Sequence, residues 1–304
     1  MSDPKHRGIL VCVDGSAASD AAVAWAAREA AMRGLPITVI HAVAPVVVGW
    51  PVGQLYADMP AWQQDGAQQV IDQARKIVIA NQGGGTPPEM RTEIIYSAVT
   101  PTLIDASRDA WMIVAGSQGL GALGRLLLGS VTAALLAHAH CPVAVVHTDD
   151  HAARAADGPV LVGTDGSPAS EAAIALAFDE AARRGVGVVA LHAWSDVGVV
   201  ALHAWSDVGV FPILGMDWRD SEAKGEELLA ERLAGWQEQY PDVHVKRLVV
   251  CDKPSRWLVA EAERAQLVVV GSHGRGGFPG MLLGSVSSHV AQSATAPVIV
   301  VRGR

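Results

Sequence analysis

Gly8-Ile-Leu-Val-Cys-Val-Asp-Gly-Ser16 returns later in the chain as Pro159-Val-Leu-Val-Gly-Thr-Asp-Gly-Ser167. Each copy is a short apolar run that stops at Asp-Gly-Ser. Each is followed by an Ala-rich stretch that a glycine closes. Ile9 to Val13 therefore predicts a strand, and Ala17 to Arg33 a helix with Gly34 as its C-cap. In the second copy Ser167 takes the N-cap, Pro168 the first helical position and Gly185 the end. Other stretches recur in the same order. Trp111-Met-Ile-Val-Ala-Gly-Ser117 matches Leu267-Val-Val-Val-Gly-Ser272, and Cys141-Pro-Val-Ala-Val-Val146 matches Ala296-Pro-Val-Ile-Val-Val301. A duplicated domain follows. Its boundaries are set at 1–148 and 159–304, with the polar, Ala-rich 149–158 as linker.

Between these anchors, strand and helix patterns alternate. After Ile37 to Ala42 come a polar helix near Ala61 to Asn81 and a strand near Arg91 to Ser97. A helix from Pro101, a strand at Met112 to Ala115, a helix from Ser130 and a strand at Val143 to His147 complete the unit. Strands joined by helical crossovers make a parallel sheet, and continuous Val/Ile/Leu runs suit strands covered on both faces. The fold class is α/β, with two Rossmann-like domains. Ligands of such sheets sit beyond the carboxyl ends of the strands, where strand order reverses. Asp14, Ala42 and Gly116 would lie there, with their second-half counterparts. The last strands, Val143 to His147 and Val298 to Arg302, are apolar edges that need covering, so the halves should pack through them.

The chain has 304 residues and a net charge of −8, without a block of Lys or Arg. That disfavours nucleic acid and anionic membranes as partners. It leaves room for a small anion held by backbone N–H groups. Cys12, Cys141 and Cys251 form no even framework and read as reduced thiols. No apolar run is long enough to span a bilayer, and no signal-peptide core opens the chain, so a cytoplasmic location is expected.

After its fourth strand each half carries the same glycine spacing. Gly116, two residues, Gly119, nine residues and Gly129-Ser130 correspond to Gly271, two residues, Gly274, nine residues and Gly284-Ser285. Without Cβ, Gly116 and Gly119 would let the backbone turn sharply and approach a phosphate. Consecutive N–H groups form an anion nest. Gly129-Ser130 opens a helix whose free N–H groups and positive dipole end favour phosphate oxygens. Ser130 and Ser285 would donate as well, or cap the helix. Gly119-Leu-Gly-Ala-Leu-Gly124 spells a dinucleotide fingerprint, but after the wrong strand, and Pro279 breaks it in the second half. A Walker-A pattern is absent. The expectation is a nucleotide in each half.

These stretches, with Val13-Asp-Gly-Ser16, Thr164-Asp-Gly-Ser167, Gly129-Ser-Val131 and Gly284-Ser-Val286, resemble the universal stress protein family in its tandem, ATP-binding form. The resemblance implies a five-stranded parallel sheet in each half, with ATP, with or without Mg²⁺, across its top. Asp14-Gly15 and Asp165-Gly166 would approach the adenosine. Ala42-Val43 and Ala193-Trp194 would meet the adenine edge. The phosphates would lie along Gly116, Ser117, Gln118, Gly119, Leu120, Gly121 and Ala122, and Gly129 to Val131. In the second half they would follow Gly271, Ser272, His273, Gly274, Arg275, Gly276 and Gly277, and Gly284, Ser285 and Val286. Cys12 stands where the second half has Gly163, and Gln118-Gly-Leu120 replaces His273-Gly-Arg275. Arg275 should make the second site the tighter phosphate binder. The family also implies a nucleotide-dependent stress regulator, and whole chains are expected to form a homodimer.

Other candidates read more plainly. His138, His140 and Cys141 do not share a helix face and have no second-half counterpart, so no metal site is expected. His41 and His192, at matching strand ends near the expected adenine, read as packed or hydrogen-bonded core histidines. A slow ATPase or phosphotransferase, and a scaffold with structural ATP, remain alternatives. The enzyme lacks a Walker lysine, an Asp pair for Mg²⁺ and a recurring base. Finally, Val189 to Val199 is repeated unchanged as Val200 to Val210. Only one copy can supply the second strand. Gly185 precedes His192 by the same seven residues that separate Gly34 from His41. The first copy keeps a short helix-to-strand connection, so Val188 to Ala193 should form the strand, with Trp194 and Asp196 at the site. The second copy should join the segment over the site.

Overall fold

The computed structural model describes residues 7–44, 59–81, 87–119, 128–148, 157–194, 218–251, 253–275 and 282–303. In the first half the elements are β1 (Ile9–Cys12), α1 (Ala17–Arg33), β2 (Ile37–Val43), α2 (Met59–Ala80), β3 (Met90–Tyr96), α3 (Val99–Ala106), β4 (Met112–Gly116), α4 (Ser130–His138) and β5 (Val143–Val146). The second half repeats them as β6 (Val160–Thr164), α5 (Pro168–Arg184), β7 (Val188–Trp194), α6 (Trp218–Gln239), β8 (Val245–Cys251), α7 (Pro254–Ala262), β9 (Leu267–Gly271), α8 (Ser285–Ser293) and β10 (Val298–Val301). The caps read from sequence act as such: the Ser167 side chain accepts from the Ser170 amide, and Ser16, which was not read as a cap, does the same for the Ser19 amide. Gly34 and Gly185 end their helices at φ 62° and 67°, a left-handed geometry that glycine enters without a Cβ clash.

One ten-stranded sheet runs β3-β2-β1-β4-β5-β10-β9-β6-β7-β8. Each half contributes five parallel strands. The halves meet where β5 and β10 pair antiparallel, with Val143 opposite Val300 and Val145 opposite Val298. Both apolar edges are thereby covered, as expected. Helices α1, α2, α5 and α6 bury one face of the sheet, and α3, α4, α7 and α8 the other. Arg302, just past β10, donates to the Leu136 and Ala137 carbonyls at the end of α4, where a cation suits the negative end of the helix.

The duplicated segment resolves as expected. β7 is built from Val188–Trp194, and His192 lies beside Thr164 on β6. His192 Nδ1 is 2.8 Å from the Thr164 carbonyl, as His41 Nδ1 is 2.7 Å from that of Val13. The two histidines therefore occupy equivalent levels. Residues 200–210 lie outside the described residues.

Helices α1 and α5 end side by side in a buried ion cluster that sequence reading did not foresee. Arg33 bonds Glu29 on its own helix, and reaches Asp179 at 2.7 Å and Glu180 at 2.5 Å in the other half. Arg184 answers with Glu29 at 2.6 Å and Glu180 at 3.0 Å. The Arg33 guanidinium also lies 3.9 Å from the Trp111 ring centroid. Burial and the neighbouring Glu180 push the Glu29 carboxyl up to about 7, against the pull of Arg184 and Arg33.

Candidate functional site

At the carboxyl end of β6 the chain turns at Gly166, whose φ of 77° needs glycine. The turn holds Asp165 in place. Its Oδ1 accepts from the Ser167 amide at 2.9 Å, and its Oδ2 from the Arg275 amide at 2.9 Å. The carboxylate thus bridges the loop after β6 to the loop after β9. Burial by itself would raise this carboxyl. Hydrogen bonds, first from the Ser167 amide and then from the Arg275 amide, outweigh it and hold Asp165 below the usual carboxylate range. It stays an acceptor at neutral pH.

The glycine-rich loop is pinned at its base. The Gly284 amide donates to the Ser272 carbonyl at 2.7 Å, and the Ser287 hydroxyl donates to the Gly271 carbonyl. The first turn of α8 is therefore tied to the end of β9. Ser167, besides capping α5, donates to the His273 carbonyl at 3.0 Å. Between these pieces opens a cavity of about 450 Å³. Asp165 and Ser170 line one side, Leu191 and Ala193 the floor beside Gly163, and Pro254 and Leu258 of α7 the far wall. Gly271, His273 and Gly274 of the loop, and Gly284 to Ser287 of α8, complete it. A volume of this size suits a nucleotide-sized ligand.

The first half repeats the arrangement. Asp14 Oδ1 accepts from the Ser16 amide at 2.9 Å. The Gly129 amide donates to the Ser117 carbonyl at 2.8 Å, and the Thr132 hydroxyl to the Gly116 carbonyl at 2.7 Å. A Cβ on Gly119 would stand 2.7 Å from Asp14 Oδ2, and one on Gly274 would press against Asp165 Oδ2 in the same way. The second glycine of each motif is what lets the carboxylate and the loop meet.

The expected site residues therefore converge at one end of each half, with several corrections. Gly116 and Gly271 were expected to clear a path for phosphate. Their missing Cβ instead makes room for helix packing: it would lie 2.6 Å from the Ala18 carbonyl carbon and 2.7 Å from that of Ala169. Ser130 and Ser285 are not N-caps. Gly129 and Gly284 hold that position without a side-chain bond, which leaves each serine as the first helical residue. His192, by contrast, is the hydrogen-bonded core histidine that was expected: it bonds the Thr164 carbonyl, and strand alternation turns it away from the face that Leu191 and Ala193 present to the cavity. Cys12, in the place of Gly163, packs with the lower core. Burial, Cys141 and Asp14 raise its thiol above the ordinary range, as expected for an unreactive cysteine. Leu120, Gly121, Ala122, Asp196, Gly276 and Gly277 lie outside the described residues, as does the side chain of Trp194. Sequence reading passed over Thr132 and Ser287. A hydroxyl recurring two residues beyond each Gly-Ser was the available signal.

The universal stress protein family model matches residues 5–147 and again 158–302. The chain belongs to the universal stress protein family. A universal stress protein of Mycolicibacterium smegmatis is 57% identical over 297 residues, covering 98% of this chain and 97% of that one. One from Mycobacterium tuberculosis is 50% identical over 310 residues, covering 99% of each. Among solved structures, a universal stress protein of Archaeoglobus fulgidus superposes with a TM-score of 0.71 at 19% identity, over 98% of this chain and 99% of that one. That likeness concerns the fold.

Proposed function

We propose that the chain binds one ATP in each half and acts as a nucleotide-dependent stress or growth regulator. The observation that carries this reading is the second-half cavity. Its wall joins a carboxylate held ionised, a glycine-rich loop and the N-terminus of α8. A carboxylate acceptor suits ribose hydroxyls. Free N–H groups at a helix N-terminus, with the positive dipole end, suit phosphate oxygens. Ala193 and Leu191 offer an apolar surface for a base. The first half repeats the carboxylate, the loop closure and the helix start. Mg²⁺, where present, would ride on the phosphates. The sequence carries no Walker lysine, no Asp pair for Mg²⁺ and no base that recurs in both halves, so hydrolysis is expected to be far slower than the roughly 1–100 s⁻¹ of dedicated kinases. We place the protein in the cytoplasm as a homodimer.

The test is calorimetry of the purified chain with ATP, preceded by mass spectrometry of the small molecules it releases on denaturation. Two ATP per chain is the expected stoichiometry, and one or none overturns the proposal. Light scattering checks the dimer.

A further inference from the structure

The turn that ends β6 grips the glycine-rich loop on both sides of Gly274. Asp165 Oδ2 accepts from the Arg275 amide at 2.9 Å, and the Ser167 hydroxyl donates to the His273 carbonyl at 3.0 Å. One bond takes a donor from the loop and the other gives a donor to it. The His273 carbonyl belongs to the peptide before Gly274, and the Arg275 amide to the peptide after it. Both planes are therefore fixed. In a planar trans peptide the N–H and C=O point opposite ways, so the Gly274 N–H is aimed away from Ser167. Gly274 itself lines the cavity.

The grip is itself held firmly. Asp165 Oδ1 accepts from the Ser167 amide at 2.9 Å, and the Gly166 amide donates to the Ser170 hydroxyl at 2.9 Å. The carboxylate stays ionised, so its bond from the Arg275 amide is charge-assisted. The first half meets its loop in the same way. Asp14 Oδ1 accepts from the Ser16 amide, and Oδ2 stands where a Cβ on Gly119 would come within 2.7 Å of it. The same carboxylate oxygen thus faces the second glycine of the motif in both halves.

From this we infer that Asp14 and Asp165 are positioning residues for the phosphate end of each site, and act on the nucleotide through the glycine-rich loop. The inference rests on the nucleotide reading above. The family resemblance gives these aspartates to the adenosine, and each carboxylate oxygen keeps a lone pair with which to meet a ribose hydroxyl. The loop is the larger debt. Its N–H groups favour a phosphate only when they already point together, because an unaimed loop must be ordered as the ligand binds. The carboxylate supplies that order before the ligand arrives. Loss of the charge should therefore weaken the hold on phosphates far more than the hold on the nucleoside.

The experiment uses the full chain with Asp14→Asn and Asp165→Asn together, so that both sites carry the same change. Asparagine keeps the shape, but its oxygen serves one side of the carboxylate's bonding and its NH₂ group faces the amide on the other. Calorimetry should show ATP weakened by about tenfold or more, the scale of a lost hydrogen bond to a charged group, and adenosine by less than about threefold. Gly119→Ala with Gly274→Ala should give the same split. Neither glycine has a left-handed φ for alanine to strain, and the new Cβ meets the carboxylate. All four substitutions together should weaken ATP by clearly less than the product of the two separate losses, since both pairs break one contact. In the nucleotide-free chain, the Arg275 amide should exchange its hydrogen at least about tenfold faster in the Asp variant than in wild type, read residue by residue by NMR. Equal losses of ATP and adenosine, losses that multiply, or an unchanged Arg275 exchange rate overturn the inference and leave nucleotide binding standing. A wild-type chain that binds neither ATP nor adenosine overturns the function, and this inference with it.

Discussion

Replacing Arg33 with alanine should destabilise the protein more as pH rises. Arg33 is 4% exposed and bonds three carboxylates, of which Glu29 and Glu180 are 1% and 0% exposed. Without it, Arg184 alone faces both buried carboxylates. Breaking a buried pair from one side costs roughly 3–5 kcal/mol, because the remaining charge keeps its desolvation cost without its partner. For a chain of this size that is a fall in Tm of roughly 5–10 °C. The sign of the pH effect follows from Glu29, whose folded pKa is raised to about 7 from 4.5. A raised carboxyl holds its proton in the folded state while the unfolded chain has released it. Its contribution is therefore fully present below pH 4.5 and is lost as pH rises through about 7. Removing Arg33 takes away a cation that favours the charged form, and pushes Glu29 further up. The variant keeps that proton at little cost near pH 5, while at pH 8 it must either hold the proton against an unfolded chain that has released it or set two buried carboxylates on one guanidinium. Thermal unfolding of wild type and Arg33→Ala at pH 5, 6.5 and 8 checks this. Glu29→Gln is the control, and it should flatten the wild-type pH dependence. A deficit that does not change with pH, or one under about 1 kcal/mol at pH 8, would refute the claim that these charges are buried and coupled.

Two further outcomes are expected. Ser287→Ala removes the hydroxyl that ties α8 to the Gly271 carbonyl. It should weaken ATP at the second-half site by roughly threefold to tenfold, the scale of one hydrogen bond, while adenosine affinity is little changed; Ser287→Thr should restore ATP binding, and equal losses for ATP and adenosine would mark the bond as merely structural. Deleting one copy of the 189–210 duplication yields the same sequence whichever copy is removed. Because β7 needs only Val188–Trp194, the shortened chain should melt within a few degrees of wild type, and a loss of cooperative unfolding would show that the second copy is needed.

Much of the fold could be read from the sequence because duplication supplies its own control. A lone Gly-x-x-Gly is an ordinary loop, whereas the same spacing twice, after the same kind of strand and before the same kind of helix, is not chance. Helix ends were equally legible, since Gly34, Ser167 and Gly185 act within one turn of chain. The choice of Val188–Trp194 for β7 came from loop length, another local quantity. Local chemistry also brought Asp14 and Asp165 to the site, because the end of a parallel strand is where such a fold opens.

What the sequence could not decide were matters of who meets whom across the fold. Gly116 and Gly271 looked like clearance for a ligand, but the group that comes close is the chain's own α1 or α5. Only the packing angle between helix and strand brings it there. The Arg33–Glu29–Glu180–Arg184 cluster joins residues about half a chain apart. It exists because β5 and β10 pair antiparallel and set the ends of α1 and α5 together. Strand alternation likewise turned His192 away from the cavity that Leu191 and Ala193 line. By itself the sequence determined the repeated unit, its caps, its strand order of types and the loop that could hold phosphate, all from contacts within a few residues. The tertiary structure decided which face each side chain serves and which charges are buried together, because burial and distance between remote residues arise only when the sheet is assembled.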